Sequence, residues 1–185
     1  MNVSLHETCV SGEIMYRGRL LEVHCDTVRL SDGTTSTREY VKHPGAVVIL
    51  ALLDNDNLLF ERQFRYPIGE VMLELPAGKK DTGEPPLLTA QRELLEETGY
   101  SASQWRRLGD LCPNVGYSNE RIDIYLAEGL RREGKPQLDA GEFLEVCELS
   151  PVQAHQAVLD GNITDSKTVS ALYWLYELPN LRTTT

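Results

Sequence analysis

The sequence has no excess of basic residues, since 18 Lys and Arg against 28 Asp and Glu give a formal net charge of −10 over 185 residues. A protein that binds nucleic acid through phosphate contacts is normally basic, so that class of protein is not favoured. A phosphate-bearing ligand would need a divalent cation to lie against so acidic a chain. The charge balance therefore predicts no nucleic-acid partner, and a metal ion wherever phosphate is bound.

Disulfide patterns and long apolar runs are also absent from the sequence. The four cysteines are scattered, with no CxxC pair and no neighbouring histidine cluster, so neither a zinc site nor a disulfide framework is predicted. The longest apolar run, residues 46–53, has eight residues and is too short to cross a bilayer, and residues 1–18 lack the apolar stretch of a signal peptide. We therefore expect a soluble cytoplasmic protein with free thiols and no membrane association.

Repeats, low-complexity tracts and Pro/Gly/Ser linkers are missing as well, so one main domain with its own core is expected. Short strand patterns fill the first half of the chain, from a hairpin within residues 13–30 to residues 71–75. Residues 46–53 form a continuous β-branched run, which is typical of a strand buried on both faces. Because helix patterns follow these strands, the predicted fold class is α/β or α+β.

Three helices can be placed from their end signals. The first begins at Pro86 and ends at Gly99, because proline favours the first helical turn and glycine the position after the last. The second starts after Ser150, and Gln153 three residues later completes a capping box. A third helix is predicted over residues 167–178, where apolar residues recur on one stripe.

The first helix carries three glutamates on one face. Glu93, Glu96 and Glu97 lie at positions i, i+3 and i+4, one helical turn apart. Like charges so placed repel one another by roughly 0.2–0.5 kcal/mol per pair, and locally only Arg92 offsets this. Acidic helix faces are usually just solvated. However, carboxylates at helical spacing after a glycine-containing loop also offer the oxygen ligands that Mg²⁺ prefers.

Residues 78–100 resemble the Nudix box. Its pattern is Gly, five residues, Glu, seven residues, Arg-Glu, an aliphatic residue, any residue, Glu-Glu, any residue and Gly, followed by an apolar position. The sequence fills every fixed position of this pattern and places a tyrosine in the last slot: Gly78, Glu84, Arg92, Glu93, Leu94, Glu96, Glu97, Gly99 and Tyr100.

The resemblance implies an α/β/α sandwich with a mixed β-sheet and a metal-dependent enzyme that hydrolyses a nucleoside diphosphate linked to another group. In similar proteins the cation is Mg²⁺ or Mn²⁺. The resemblance implies that it is bound by Glu93, Glu97 and the main-chain carbonyl of Ala77. Glu96 would be a further ligand or a catalytic group just outside the metal sphere.

The resemblance gives two other charged residues of the box a supporting role. Arg92 would orient the carboxylates through salt bridges, and Glu84 would in turn hold Arg92. Gly78 and Gly99 would allow turns that other residues would strain.

Outside the box, the resemblance runs from about residue 12 to residue 178 and is to the ADP-ribose pyrophosphatase branch of the Nudix family. It is carried by Arg-Glu-Tyr at residues 38–40 with His-Pro-Gly-Ala-Val at 43–47, by Arg-Gln-Phe-Arg-Tyr-Pro at 62–67 and by Leu-Glu-Leu-Pro-Ala-Gly at 73–78. The implied substrate is ADP-ribose, cleaved to AMP and ribose 5-phosphate, or a related nucleoside diphosphate sugar.

Four charged residues are candidates for substrate binding. Arg62 and Arg65 lie on a strand that approaches the box, so one or both can reach a diphosphate. By resemblance, Arg38 and Glu39 lie where this branch contacts adenine or the terminal ribose. For each arginine, the alternative is an ordinary surface salt bridge.

The general base is expected in a loop before the last strand, because in this branch a glutamate from such a loop deprotonates the attacking water. Glu142 matches that loop, and Gly141 next to it provides hinge freedom. Glu120 is the next candidate; it closes a loop that resembles the branch's Ser-Pro-Gly-aromatic loop, although Val115 stands where that loop has proline. Activation of the water by metal ions alone is the remaining alternative.

The N-terminal region is expected to serve dimerisation. In similar proteins the first strands form a small antiparallel sheet that exchanges with a partner in a homodimer, which divides this chain into residues 1–44 and a Nudix hydrolase domain over residues 45–185. Tyr16 is a candidate for stacking on adenine across that interface, or is an ordinary half-buried strand tyrosine.

Other functions remain open at the level of sequence. The substrate could be NADH, another sugar nucleotide or an oxidised nucleotide. A non-enzymatic alternative is a regulatory module that only binds ADP-ribose. Such regulators usually have a damaged box, whereas this acidic chain keeps every box carboxylate.

Overall fold

The computed structural model describes residues 5–182 of the chain, and the side chains of residues 5–177. In the described residues the chain forms ten strands and three helices. None of the described helices is long and apolar enough to cross a membrane. The strands and helices are β1 (Thr8–Arg17), β2 (Glu22–Arg29), β3 (Thr35–Lys42), β4 (Ala46–Ala51), β5 (Leu58–Arg65), β6 (Glu70–Glu74), β7 (Ala77–Lys79), α1 (Pro86–Thr98), β8 (Tyr100–Leu111), β9 (Ile122–Arg132), β10 (Leu144–Leu149), α2 (Pro151–Leu159) and α3 (Ser166–Arg182).

The chain separates into two compact units. The first takes in the chain up to Pro44 together with Asn114–Glu120, and the second takes in Gly45–Pro113 and Arg121–Thr185. In the first unit, β1, β2 and β3 form a small antiparallel sheet in that order, as the resemblance implied. Every residue of β1 is exposed, so the part of the chain that the structure describes does not cover this edge strand of the sheet.

The second unit contains two sheets. One has the order β7-β4-β9-β8, and the other has the order β10-β5-β6. Strands β4 and β9 run parallel, with Val48 opposite Ile124, whereas the other neighbours in these sheets are antiparallel. The predicted mixed sheet is therefore confirmed.

Strand β4 is the centre of the second unit, because its apolar run is buried on both faces. Val47 and Ile49 lie in one apolar cluster, which also contains Ala90 and Leu94 of α1. The alternate residues Val48 and Leu50 lie in a second cluster, which contains Ala154 of α2 as well as Ala171 and Leu172 of α3. One helix thus covers one face and two helices cover the other, which gives the predicted α/β/α layers.

The helix ends follow the sequence signals. Helix α1 begins at Pro86, and Gly99 ends it in the left-handed conformation at φ 74°, with its N–H donating to the Leu95 carbonyl at 2.9 Å. The predicted capping box of α2 is present: the Gln153 N–H donates to Ser150 Oγ, and the Ser150 N–H donates to Gln153 Oε1. Helix α3 begins one residue before the predicted start at residue 167 and extends to Arg182, four residues beyond the predicted end at residue 178.

Strands β1, β7 and β8 differ from the sequence patterns. Strand β1 begins at Thr8, five residues before the hairpin predicted within residues 13–30. The short strand β7 was not predicted, because three residues between a proline and a loop carry no periodic pattern. Strand β8 begins at Tyr100, whereas the pattern that indicates a strand in the sequence starts only at Trp105, because the first part of β8 is polar and lies at the edge of its sheet. The longer strand places the chain after α1 directly into the sheet.

Candidate active site

The three glutamates of α1 lie in different environments, although they share one helix face. Glu97 is 4% exposed, Glu93 is largely buried, and the side chain of Glu96 is 42% exposed. Burial raises the pKa of the Glu97 carboxyl well above its ordinary value, and the negative charges of Glu61 and Glu93 raise it further. Burial likewise raises the pKa of Glu93, although Arg92 opposes that shift. Closely spaced buried carboxylates of this kind need a cation or a proton between them.

Arg92 joins several box carboxylates into one network. Its Nε and Nη2 donate to the two carboxylate oxygens of Glu84 at 3.1 and 3.0 Å. Its Nη1 donates to Glu93 at 2.8 Å and to Glu96 at 3.0 Å. The hydrogen bond from Arg92 holds the pKa of Glu84 down to about 2, so this carboxylate is ionised at neutral pH. The predicted arrangement, with Arg92 on the carboxylates and Glu84 behind it, is the one the structure has.

The strand at the entrance of the box contacts the same carboxylates. The Ala77 N–H donates to Glu97 Oε2 at 3.0 Å, which fixes β7 against α1. A Cβ added at Gly78 would overlap the carboxyl group of Glu93, so only glycine allows this close approach. Ala77, Glu93 and Glu97, the three predicted main metal ligands, therefore lie together.

The predicted base, Glu142, lies in the loop before β10 and is held by β5. Gln63 Nε2 donates to Glu142 Oε1 at 3.2 Å, and the Asp139 N–H approaches its other oxygen at 3.4 Å. The negative charge of Glu142 contributes to the raised pKa values of Glu93 and Glu97, so all three belong to one electrostatic cluster. Glu145, by contrast, lies within β10 and is exposed.

Glu61 is a buried carboxylate that the sequence analysis missed. It lies on β5 at 0% exposure, and both of its oxygens lack a hydrogen-bond partner within the described residues. Burial, followed by the charge of Glu74 across the strand pair, raises the pKa of Glu61 to about 8. The available signal was an acidic residue directly after Leu58-Leu59-Phe60, where a buried strand would be expected to remain apolar.

The two predicted diphosphate arginines lie on opposite faces of β5. Arg65 points to the same face as Glu61, and its Nε and Nη2 donate to the buried Glu74 at 2.7 and 2.8 Å. Lys167 of α3 also donates to Glu74. Arg62 is exposed on the opposite face, so alternation along the strand separates it from the glutamate cluster.

The remaining predicted residues belong to the first unit. Arg38 and Glu39 of β3 line a cleft of about 290 Å³, together with the loop that carries Val115. Tyr16 of β1 is 58% exposed, and Glu120 pairs with His43 at 3.5 Å. The cleft is also lined by Asp26, Tyr40, Gly116, Tyr117, Ser118 and Asn119.

The donor set of the second unit fits a hard divalent cation. No three His, Cys, Asp or Glu side chains among the described residues are already gathered around one point. Arg92 and the Ala77 N–H bind some of the oxygens that a cation would take. However, Glu61 and Glu97 are buried carboxylates with raised pKa values, and both oxygens of Glu61 lack a hydrogen-bond partner among the described residues. Carboxylate oxygens of this kind are the ligands that Mg²⁺ prefers.

Comparison with known proteins agrees with this geometry. The NUDIX domain matches residues 42–172, which is more than two thirds of the chain. The chain belongs to the Nudix family. A second match, to the nucleoside diphosphate sugar hydrolase N-terminal domain, covers residues 7–41.

Several Nudix relatives match the chain over nearly its whole length. It is 38% identical to the ADP-ribose pyrophosphatase of Bacillus subtilis, with 93% of this chain and 94% of the relative covered. It is 41% identical to the ADP-ribose pyrophosphatase of Mycobacterium tuberculosis, with 88% and 80% covered. It is also 38% identical to the methanol dehydrogenase activator of Bacillus methanolicus, with 95% of each covered.

A solved structure supports the same family at the level of fold. The crystal structure of an ADP compounds hydrolase superposes with a TM-score of 0.85 at 26% sequence identity, and 97% of each chain is covered. The protein is therefore a Nudix hydrolase with the predicted fold, and it acts on the phosphoric anhydride bonds of nucleotide substrates.

Proposed function

We propose that this protein hydrolyses the diphosphate of ADP-ribose to AMP and ribose 5-phosphate in a reaction that depends on Mg²⁺ or Mn²⁺. The observation that carries the proposal is the group of carboxylates Glu93, Glu97 and Glu142, which act on one another electrostatically. Arg92 of the box helix holds Glu93 of this group by a hydrogen bond. Two relatives that match most of the chain are ADP-ribose pyrophosphatases, which supports this choice of substrate.

The proposed metal ligands are Glu93, Glu97 and the carbonyl of Ala77, with Glu96 as a further ligand or outer group. A divalent cation there would neutralise the diphosphate and lower the pKa of a bound water. Arg92 positions Glu93 and Glu96 through its Nη1, and Glu84 holds the guanidinium from the other side. The chain thus supplies ligands whose positions are fixed before substrate arrives.

Glu142 is the proposed general base. It would take the proton of the water that attacks a phosphorus of the diphosphate, while the anhydride P–O bond breaks and its oxygen leaves with the other phosphate. Gln63 holds one oxygen of Glu142, and Gly141, at φ 89°, gives the loop a residue suited to movement. Glu120 pairs with His43 in the other unit and is the second candidate.

The proposed substrate contacts are the residues that the resemblance assigns to nucleotide binding. In the first unit, the cleft beside Arg38 and Glu39 has a volume of about 290 Å³ and is lined by both charged and aromatic side chains, which suits a ribose or an adenine. In the second unit, Arg65 and Arg62 are the proposed diphosphate contacts, and Arg65 lies on the strand face that carries Glu61. Tyr16 is exposed and remains a proposed stacking residue for the base.

A homodimer formed through the first unit is also proposed. Strand β1 is exposed along its whole length and carries Val10, Ile14, Met15 and Tyr16. An apolar edge strand of ten residues is a surface that proteins normally cover, and a second copy of the chain would cover it symmetrically.

The proposed location is the cytoplasm. All four cysteines are free, and Cys9 and Cys112 are exposed. Exposed free thiols are compatible with a reducing compartment.

The test is a substrate panel. Phosphate release, coupled to an added phosphatase, is measured with ADP-ribose, ADP-glucose, GDP-mannose, NADH and an oxidised nucleotide, each with Mg²⁺ and with EDTA. The proposal predicts the highest kcat/KM on ADP-ribose and no turnover in EDTA. A higher kcat/KM on another nucleotide would overturn the choice of substrate, and binding of ADP-ribose without any turnover would indicate a regulatory module instead.

A further inference from the structure

Glu61 is an unusual residue for the interior of a strand. It follows three buried apolar residues on β5, is 0% exposed, and both of its carboxylate oxygens are unpartnered. Among the described residues, no other buried side chain has N or O atoms left in this state. A buried carboxylate without partners is strongly unfavourable, so its retention at this position needs an explanation.

The direction of the Glu61 side chain is fixed by its strand. Alternation places Leu59, Glu61 and Gln63 on one face of β5. Leu59 lies in the apolar cluster that contains Ala90 and Leu94 of α1, and Gln63 donates to Glu142. Glu61, between these two, therefore faces the box helix.

The charges around Glu61 do not balance it. The negative charges of Glu74, which lies across the strand pair, and of Glu142 act on Glu61. The charge of Glu61 in turn acts on Glu97 of α1. The nearby cations are Arg65 and Lys167, but both already donate to Glu74. Glu61 and Glu97 are thus two buried carboxylates whose charges repel each other, and neither forms a salt bridge with a cation among the described residues.

We propose that Glu61 is a further carboxylate ligand of the divalent cation site, which it completes from β5 opposite Glu97. This role goes beyond the box, whose pattern ends at residue 100 and contains no residue of β5. A cation between Glu61 and Glu97 would satisfy the unpartnered oxygens and offset the repulsion between the two carboxylates. The inference rests on the metal dependence proposed above.

The competing explanation is a proton. A neutral Glu61 would be a core acid with no role in metal binding, and replacing it with the isosteric amide would leave metal affinity unchanged. The two explanations therefore predict different metal affinities for the variant with the amide. Metal affinity can be measured without substrate, so the test does not depend on which nucleotide the enzyme hydrolyses.

The experiment measures Mn²⁺ binding to the full-length protein by electron paramagnetic resonance, which separates free from bound Mn²⁺. Glu61→Gln removes the charge at constant size, Glu61→Asp shortens the carboxylate, and Glu148→Gln removes an exposed charge from β10 as the matched control. We expect Glu61→Gln to weaken Mn²⁺ binding by at least about 10-fold or to remove one bound ion, and Glu61→Asp to weaken it less. Glu148→Gln is expected to bind as the parent does.

A thermal melt of the same proteins shows whether each variant is folded. Without metal, Glu61→Gln should melt at the parent's temperature or above it, because an amide replaces an unpartnered carboxyl. Added Mg²⁺ should raise the melting temperature of the parent more than that of Glu61→Gln.

Unchanged Mn²⁺ affinity and stoichiometry in a folded Glu61→Gln protein would overturn the inference and leave the proposed hydrolysis intact. Absence of Mn²⁺ binding in the parent would overturn both the inference and the metal dependence. A parent that binds Mn²⁺, with weakened binding in Glu61→Gln but no turnover of ADP-ribose, would uphold the inference and contradict only the proposed substrate.

Discussion

At the residue scale, the ion pair between Arg92 and Glu84 stabilises the fold and also holds the guanidinium that binds the carboxylates of the candidate active site. The pKa of Glu84, about 2, lies below its ordinary value of 4.5, chiefly because Arg92 donates two hydrogen bonds to it. A lowered pKa in the folded state means that this carboxylate stabilises the fold above pH 4.5 and loses that effect as the pH falls towards 2.

We therefore expect Glu84→Gln to lower the free energy of unfolding at neutral pH, and the difference from the parent to shrink as the pH falls from 4.5 to 2. Urea unfolding at several pH values measures this difference. If the difference in the free energy of unfolding between the parent and Glu84→Gln stayed constant over that pH range, the charge of Glu84 would not be the source of the stabilisation.

A second prediction concerns the close approach of β7 to α1. Gly78→Ala should displace Glu93, because the new Cβ would occupy the position of its carboxyl group. A displacement of about 1 Å at a reacting centre costs about 100-fold in rate, so kcat/KM for ADP-ribose should fall by roughly that factor. The control is Gly134→Ala, where an added Cβ meets nothing within 4 Å. Equal activity of the two variants would contradict the placement of Glu93.

Residues in a local pattern could be predicted, and residues brought together by strand pairing could not. Glu93 and Glu97 were found because helical spacing alone puts them on one face. Glu61 was missed because its environment depends on which strands and which helix pack around β5. The same limit applies to Arg62 and Arg65: the sequence showed that they share a strand, but only the structure shows Arg65 bound to Glu74.

At the element scale, most helices and strands follow local signals. The apolar run of β4 predicts burial on both faces, and proline and glycine mark the two ends of α1. The edge strand β7 escaped prediction because pairing with β4, and not its own sequence, makes it a strand. Local chemistry thus defines the long elements, while tertiary pairing defines the short ones.

The capping box of α2 gives the prediction at this scale. Ser150→Ala should lower the free energy of unfolding by about 1 kcal/mol, because the Gln153 N–H loses its acceptor at the start of the helix. Denaturant unfolding measures the change, and Ser150→Thr is the control that keeps the hydroxyl. ADP-ribose kinetics should stay the same, because α2 and α1 pack on opposite faces of β4. If Ser150→Ala lost activity on ADP-ribose without losing stability, α2 would not be separate from the active site.

At the scale of the whole molecule, the exposed strand β1 predicts association. Sedimentation should give a particle with twice the mass of one chain. Met15→Glu should shift the equilibrium towards the monomer, because it places a charge on the apolar part of β1. Lys42→Glu, at an exposed position of β3 in the same sheet, is the control. A parent that sediments as a monomer at all concentrations would contradict the proposed dimer.

The proposed reaction of this protein is a metal-dependent hydrolysis of ADP-ribose at the carboxylate cluster of the box helix. The most direct measurement is the rate of AMP formation with Mg²⁺ for the parent, for Glu97→Gln and for the exposed control Glu148→Gln. We expect kcat/KM to fall by at least about 100-fold in Glu97→Gln and to be unchanged in Glu148→Gln. Full activity of a folded Glu97→Gln protein would contradict it.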